Sequence, residues 1–156
     1  MERTQQQQAP AEVRIDRHYP FAAEKVWRAW TEPQALSRWF GTARPGAVTE
    51  AEVDLRVGGR YRIVSKLPDG ETHDVSGVYQ EVVPHSRLVF TWAWRSTPDR
   101  VSRVSIDFVA RDGGTALRFV HDRFFDDHAR INHERGWQPV FDQLDAYLQL
   151  DTQDAT

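Results

Sequence analysis

The chain has 156 residues, of which 40% are hydrophobic and 28% are charged, and this size and composition are typical of one globular domain. Its net charge is −3 and it contains no basic block, which argues against nucleic acid or an anionic membrane as a partner. Cysteine is absent, which excludes disulfides, thiolate zinc sites and a cysteine nucleophile.

The first ten residues, MERTQQQQAP, are polar and end in proline, so we predict a disordered tail over 1–10. They lack the apolar core of a signal peptide. No apolar run in the chain approaches the roughly 20 residues that a membrane helix needs. We therefore expect a cytoplasmic protein with no membrane partner.

The next segment predicts one strand and two short helices. EVRIDRHY alternates in polarity and places three apolar side chains on one face: Val13, Ile15 and Tyr19. AAEKVWRAWTEP has Trp27 and Trp30 at helical spacing, and Pro33 both ends this helix and can begin the next. In that second helix, PQALSRWF, the apolar side includes Trp39.

From about residue 47 the sequence alternates as strands do, with turn signals such as Pro68-Asp69-Gly70 and Asp112-Gly113-Gly114 between them. Six strands follow from this pattern, and the inward side of the strand over 72–82 stays unassigned. The side chains expected on the inward faces of the others are Ala51, Val53, Leu55, Tyr61, Ile63, Leu88, Phe90, Trp92, Trp94, Val104, Ile106, Phe108, Leu117, Phe119 and His121.

Residues 127–149 predict one long helix, which Asp126 and Asp127 would cap. Its apolar residues recur at helical spacing and form one stripe: Trp137, Phe141, Leu144 and Leu148. Short turns between strands imply an antiparallel sheet, and only this helix is long enough to cover its apolar face. We predict an α+β domain over 11–150, with a C-terminal tail over 151–156. Its curved sheet of about seven strands would surround the long helix and leave a space beside it.

The segment HERGW, which begins at His133, resembles half of a zinc site. Zinc proteases carry H-E-x-x-H, in which two histidines four residues apart reach one ion. Here Trp137 stands where the second histidine is required, and His128 lies five residues before His133, off the same face. We therefore predict no metal. The chain also lacks a G-x-G-x-x-G or P-loop motif, so we expect no nucleotide or other cofactor.

Two pairs of side chains each permit two interpretations. Trp92 and Trp94 share one strand face, where they would either pack in the core or form an aromatic wall for a planar or apolar ligand. His121 on the last strand and His133 on the helix would either be satisfied core residues or flank a ligand, as orienting groups or as acid and base.

Several longer segments resemble the family of activators of the heat-shock protein 90 ATPase, which belongs to the START-like, or SRPBCC, superfamily. These are FAAEKVWRAWTEPQALSRWF, DLRVGGRY, GVYQEVVPHSRLVFTW, HERGW and FDQLDAYL, and the similarity spans residues 12–149. The family pattern H-x-x-G-W is present as His133, Gly136 and Trp137. The resemblance implies a helix-grip (Bet v-type) fold with a hydrophobic cavity between sheet and helix. We expect Gly136 to allow close approach of a neighbour and Pro139 to bend the helix and widen the cavity mouth.

What the resemblance implies for function is a module that binds a small hydrophobic or aromatic ligand in this cavity. The superfamily binds lipids, hormones and polyketides, and some branches are enzymes. One alternative is therefore a cyclase or hydrolase that uses His121 or His133. Another is a protein that contacts the heat-shock protein 90 chaperone. The edges of the sheet would also permit a homodimer. The expected cavity residues are Trp39, Tyr61, Trp92, Trp94, Phe108, Phe119, His121, His133, Trp137 and Phe141.

Overall fold

The computed structural model describes residues 11–42 and 44–154, with side chains described to residue 150. The predicted tail over 1–10 lies outside the described residues. Within these described residues, ten helices and strands follow one another in this order: β1 (Glu12–Tyr19), α1 (Ala23–Thr31), α2 (Pro33–Trp39), β2 (Val48–Val53), β3 (Arg60–Lys66), β4 (Thr72–Val83), β5 (Arg87–Trp94), β6 (Ser102–Arg111), β7 (Gly114–Asp122) and α3 (Asp127–Asp154). The predicted α+β helix-grip fold is confirmed.

The seven strands form one antiparallel sheet in the order β1-β7-β6-β5-β4-β3-β2. Consecutive strands from β2 to β7 pair through short turns, as the sequence predicted. The turn between β6 and β7 has Asp112 and Gly113 at positive φ, 52° and 78°, which a two-residue type I′ turn requires. Strands β1 and β2 are the edges of the sheet, and the expected homodimer stays a prediction.

The inward face of β4, which the sequence left unassigned, is formed by Val75, Gly77 and Tyr79. Two features hide its alternation. Glycine occupies the middle position, because a Cβ on Gly77 would lie 1.9 Å from the carbonyl oxygen of Thr91. In addition, the pairing of β4 with β5 shifts between Tyr79 and Glu81, and such a bulge breaks the two-residue period.

Two element boundaries differ from the prediction. Leu55 was expected inside with Ala51 and Val53, but β2 ends at Val53 and Leu55 is exposed. The chain turns immediately afterwards, with Gly59 N–H donating to the carbonyl of Arg56. At the other end of the chain, α3 continues to Asp154, because no glycine or proline follows residue 148 to end it.

The stripe predicted for α3 is confirmed, since all four of its residues are buried against the sheet: Trp137, Phe141, Leu144 and Leu148. The predicted cap is also present, because Asp126 Oδ1 accepts a hydrogen bond of 2.8 Å from the backbone N–H of Ala129. The described helices include none that is both long and apolar enough to cross a membrane.

Asp145 joins the middle of α3 to β1. The Tyr19 hydroxyl donates to its carboxylate over 2.7 Å, and Arg17 Nε lies 3.7 Å from the same group. Burial, and then this carboxylate, raise the pKa of Tyr19 well above its usual range, so the phenol stays protonated and keeps donating. The Arg17 guanidinium also covers the ring of Phe141 at 5.4 Å. These contacts hold the helix close to β1, at one side of the sheet.

Candidate functional site

A pocket of about 450 Å³ lies between α3 and the part of the sheet formed by β3, β4 and β5; we call it the sheet–helix pocket. It is lined by Phe40, Gly41, Arg44, Ile63, Ser65, Leu67, His73, Val75, Trp92, Trp94, Asn132, His133, Gly136, Trp137, Pro139 and Val140. Most of these side chains are apolar, and none of the described residues lining the pocket is acidic. The space exists because α3 is held against β1 while the sheet continues past it.

Aromatic rings form the inner wall of the sheet–helix pocket. Trp92 and Trp94 project from β5 with ring centroids 5.4 Å apart, and Trp137 of α3 lies 5.0 Å from Trp92. Trp92 is buried in the core and Trp94 is half-buried at the pocket. The two interpretations considered for this pair therefore both apply, because Trp92 is part of the buried core and both rings line the pocket.

His133 enters the pocket wall from α3 with both ring nitrogens bonded. The Trp94 indole N–H donates to His133 Nε2 over 2.9 Å. An indole nitrogen can only donate, so Nε2 accepts, and Nδ1 carries the proton that is donated to the Ala129 carbonyl over 2.7 Å. Burial lowers the pKa of His133, while the bond to Ala129 acts in the opposite direction. The imidazole is therefore neutral at neutral pH.

His121 lies behind His133, with the two ring centroids 5.0 Å apart. The Trp137 indole donates to His121 Nδ1 over 3.0 Å, so Nε2 carries the proton and donates to Ser102 Oγ over 2.7 Å. The Ser102 hydroxyl in turn donates to the Trp92 carbonyl. Burial, and then the neighbouring His133, lower the pKa of His121 well below its ordinary value. Both ring nitrogens of His121 and the Ser102 hydroxyl therefore have partners, whereas the indole N–H of Trp92 is buried without one among the described residues.

These bonds bear on the two chemical roles considered for the histidines. A general acid or base needs a ring nitrogen within reach of the substrate proton, and both nitrogens of each imidazole are already bonded. Their arrangement therefore favours positioning the two tryptophans over moving protons. Among the side chains that the structure describes, no three from histidine, aspartate and glutamate converge into a group that could hold a metal ion.

The structure brings four of the ten predicted cavity residues to the pocket: Trp92, Trp94, His133 and Trp137. Four others belong to the core behind it: Phe119, Phe141 and His121, which are fully buried, and Trp39, whose indole donates to the Ala29 carbonyl over 2.8 Å. Phe108 packs on Trp27 of α1, away from the pocket. Tyr61 donates to the Thr91 carbonyl and lines a neighbouring space of about 20 Å³ instead.

The expectation for Gly136 was wrong. It was expected to let a neighbour approach closely, but a Cβ at this position would meet no atom within 4 Å. The missing side chain instead enlarges the pocket. The sequence offers no signal for this difference, since a glycine that admits a neighbour and one that leaves a space look the same within a helix.

Pocket residues that the sequence did not identify come from β3, from β4, from the segment after α2, and from α3, which adds Asn132 and Val140. Ser65 is buried and shares a hydrogen bond of 2.9 Å with Thr49, whose hydroxyl donates to the Phe40 carbonyl. Gly41 approaches so closely that an added Cβ would lie 2.2 Å from Ser65 Oγ. Its positive φ of 71° is the only local signal, and it becomes visible in the structure alone.

Comparison with known proteins matches residues 20–149 to the family described as "Activator of Hsp90 ATPase homolog 1-like protein". A protein of solved structure from Chromobacterium violaceum is 28% identical, with a TM-score of 0.78 over 90% of this chain and 98% of that chain. The AHSA1 protein from Silicibacter pomeroyi is 26% identical, with a TM-score of 0.78 over 90% of this chain and 99% of that chain. The AHSA1-like protein from Aeromonas hydrophila is 26% identical, with a TM-score of 0.75 over 90% and 94%. No curated protein matches the chain.

Proposed function

The chain belongs to the Activator of Hsp90 ATPase homolog 1-like family, and from this membership together with its pocket we propose that it binds a small apolar or aromatic ligand between sheet and helix. The observation that carries the proposal is the sheet–helix pocket itself. Its volume of about 450 Å³ is in the range of small-molecule sites, which are lined mostly by apolar and aromatic side chains with a few polar groups.

The composition of the wall supports a ligand that is apolar over most of its surface. The indoles of Trp92, Trp94 and Trp137 offer flat faces, and the hydrogen bonds of Trp94 and Trp137 to histidine hold two of these rings in place. Rings that are held before binding lose little conformational entropy when a ligand arrives. The polar groups at the pocket are few: Arg44, Ser65, His73 and Asn132, besides His133.

Titration with the neutral fluorescent probe N-phenyl-1-naphthylamine tests the proposal, because the probe becomes emissive in apolar sites and can quench nearby tryptophans. We expect saturable binding that Gly136→Phe weakens by at least about tenfold, since the added ring fills open space in the pocket. Gln138→Phe is the matched control, because it adds the same ring to the same helix at an exposed position outside the pocket. A wild-type protein that shows no saturable binding, or a Gly136→Phe variant that binds like wild type, would refute the proposal.

Family membership supports a second candidate, a contact with the ninety-kilodalton heat-shock chaperone that changes its ATPase rate. The experiment is an ATPase assay with the chaperone of the same organism, with and without this protein. No change in rate at micromolar concentrations, together with no association in a pull-down, would exclude this role.

A further inference from the structure

A second pocket of about 280 Å³ lies on the far side of Trp94 and His133, and we call it the outer pocket. It is bounded by the segment after β5 and by the first turns of α3. Phe124 and Phe125 supply apolar surface to it, and its polar lining includes Thr97, Arg100, Ser102, Asp126 and His128. Four residues line both pockets: Trp92, Trp94, Asn132 and His133. The two spaces are therefore neighbours that share one wall.

The centre of this wall is the hydrogen bond of 2.9 Å between Trp94 Nε1 and His133 Nε2, which joins β5 to α3. His133 is held from behind by the Ala129 carbonyl at 2.7 Å and by the ring of Phe124 at 5.2 Å. Trp94 is held by the ring of Trp92 at 5.4 Å. Trp94 is thus packed within its own strand, and His133 is held by its own helix and by the segment that precedes it.

We propose that the Trp94–His133 bridge determines which ligands the protein accepts, by ending the sheet–helix pocket and separating it from the outer pocket. With the bridge in place, the 450 Å³ space suits compact ring systems, and a linear acyl chain has no room to extend past Trp94. Without it, the 280 Å³ of the outer pocket becomes continuous with the first space. This inference rests on the proposed function, and it assigns Trp94 and His133 as specificity-determining residues.

Displacement of bound N-phenyl-1-naphthylamine by saturated n-alkyl carboxylates tests the inference, with chains of about six to sixteen carbons kept below micelle-forming concentrations. Each buried methylene should increase affinity about fourfold until the chain reaches the wall. We expect the gain to stop in the wild-type protein and to continue for several further methylenes in Trp94→Ala. His133→Ala truncates the other half of the same bridge and should give the same extension, which keeps the test available if one variant folds poorly.

Val140→Ala is the matched control, because Val140 lines the sheet–helix pocket and not the outer pocket. It enlarges the first space and leaves the bridge intact, so its profile should stop at the wild-type chain length. An identical stopping point in wild type and both bridge variants would overturn the inference, and so would an equal extension in Val140→Ala. Absence of probe binding to the wild-type protein would instead refute the proposed function, so the two failures are distinguishable.

Discussion

Replacement of Gly136 by alanine should stabilise the protein, and this prediction tests the open space beside α3 directly. Gly136 lies in the interior of the helix and is not among the described residues with positive φ. A Cβ added there would meet no atom within 4 Å, so alanine introduces no overlap. What remains is the difference in helix propensity, in which glycine is about 0.8–1.0 kcal/mol less favourable than alanine, largely through the entropy of the unfolded chain.

We therefore expect the free energy of unfolding to rise by about 1 kcal/mol and Tm to rise by about 2–4 °C, the shift that this energy produces in a chain of this size. Urea denaturation followed by circular dichroism and a calorimetric melt measure the two quantities. The companion variant is Gly77→Ala in β4, where the added Cβ would lie 1.9 Å from the Thr91 carbonyl oxygen and should cost roughly 1–3 kcal/mol.

An alanine at 136 that lowers the free energy of unfolding would show that a neighbour occupies the space. The same result would remove the physical basis for blocking the sheet–helix pocket with phenylalanine at this position. The free energy of unfolding should rise in Gly136→Ala and fall in Gly77→Ala, because the added Cβ meets no atom at the helical site and overlaps the Thr91 carbonyl at the strand site.

Two further predictions concern stability. Burial depresses the pKa values of His121 and His133, so below about pH 6.5 these two residues bind more protons in the unfolded chain than in the folded one. Their contribution to stability is therefore complete above that pH and falls as the pH is lowered through it. Urea midpoints at pH 7.5 and pH 5.5 measure this, and equal midpoints would contradict it. Phe141→Ala should lower the free energy of unfolding by about 3–5 kcal/mol, because the side chain is fully buried. Leu150→Ala, on the exposed side of the same helix, should change it by less than about 0.5 kcal/mol. Chemical denaturation of both variants measures the difference.

For most elements, the side that faces the core could be predicted from the sequence by periodicity. The inward face of β7, which ends at His121, follows from alternation alone, and the stripe of α3 from Trp137 to Leu148 follows from helical spacing. These patterns are local, because burial on one face requires apolar residues every second or every third to fourth position. In β4, Gly77 and the register shift interrupt the alternation of apolar side chains, so periodicity could not assign its inward face.

Which of the inward side chains meet the pocket was decided only by the tertiary structure. Phe119 and Trp92 are equally inward in the sequence, yet Phe119 lies in the core and Trp92 in the pocket wall. The difference arises because α3 is held against β1 through Asp145 and does not follow the sheet as far as β3. Periodicity reports the direction in which a side chain points, whereas the distance to the next layer depends on sheet curvature and on contacts between residues far apart in the chain. The hydrogen bond between Trp94 and His133, 39 residues apart, exists only once that distance is set.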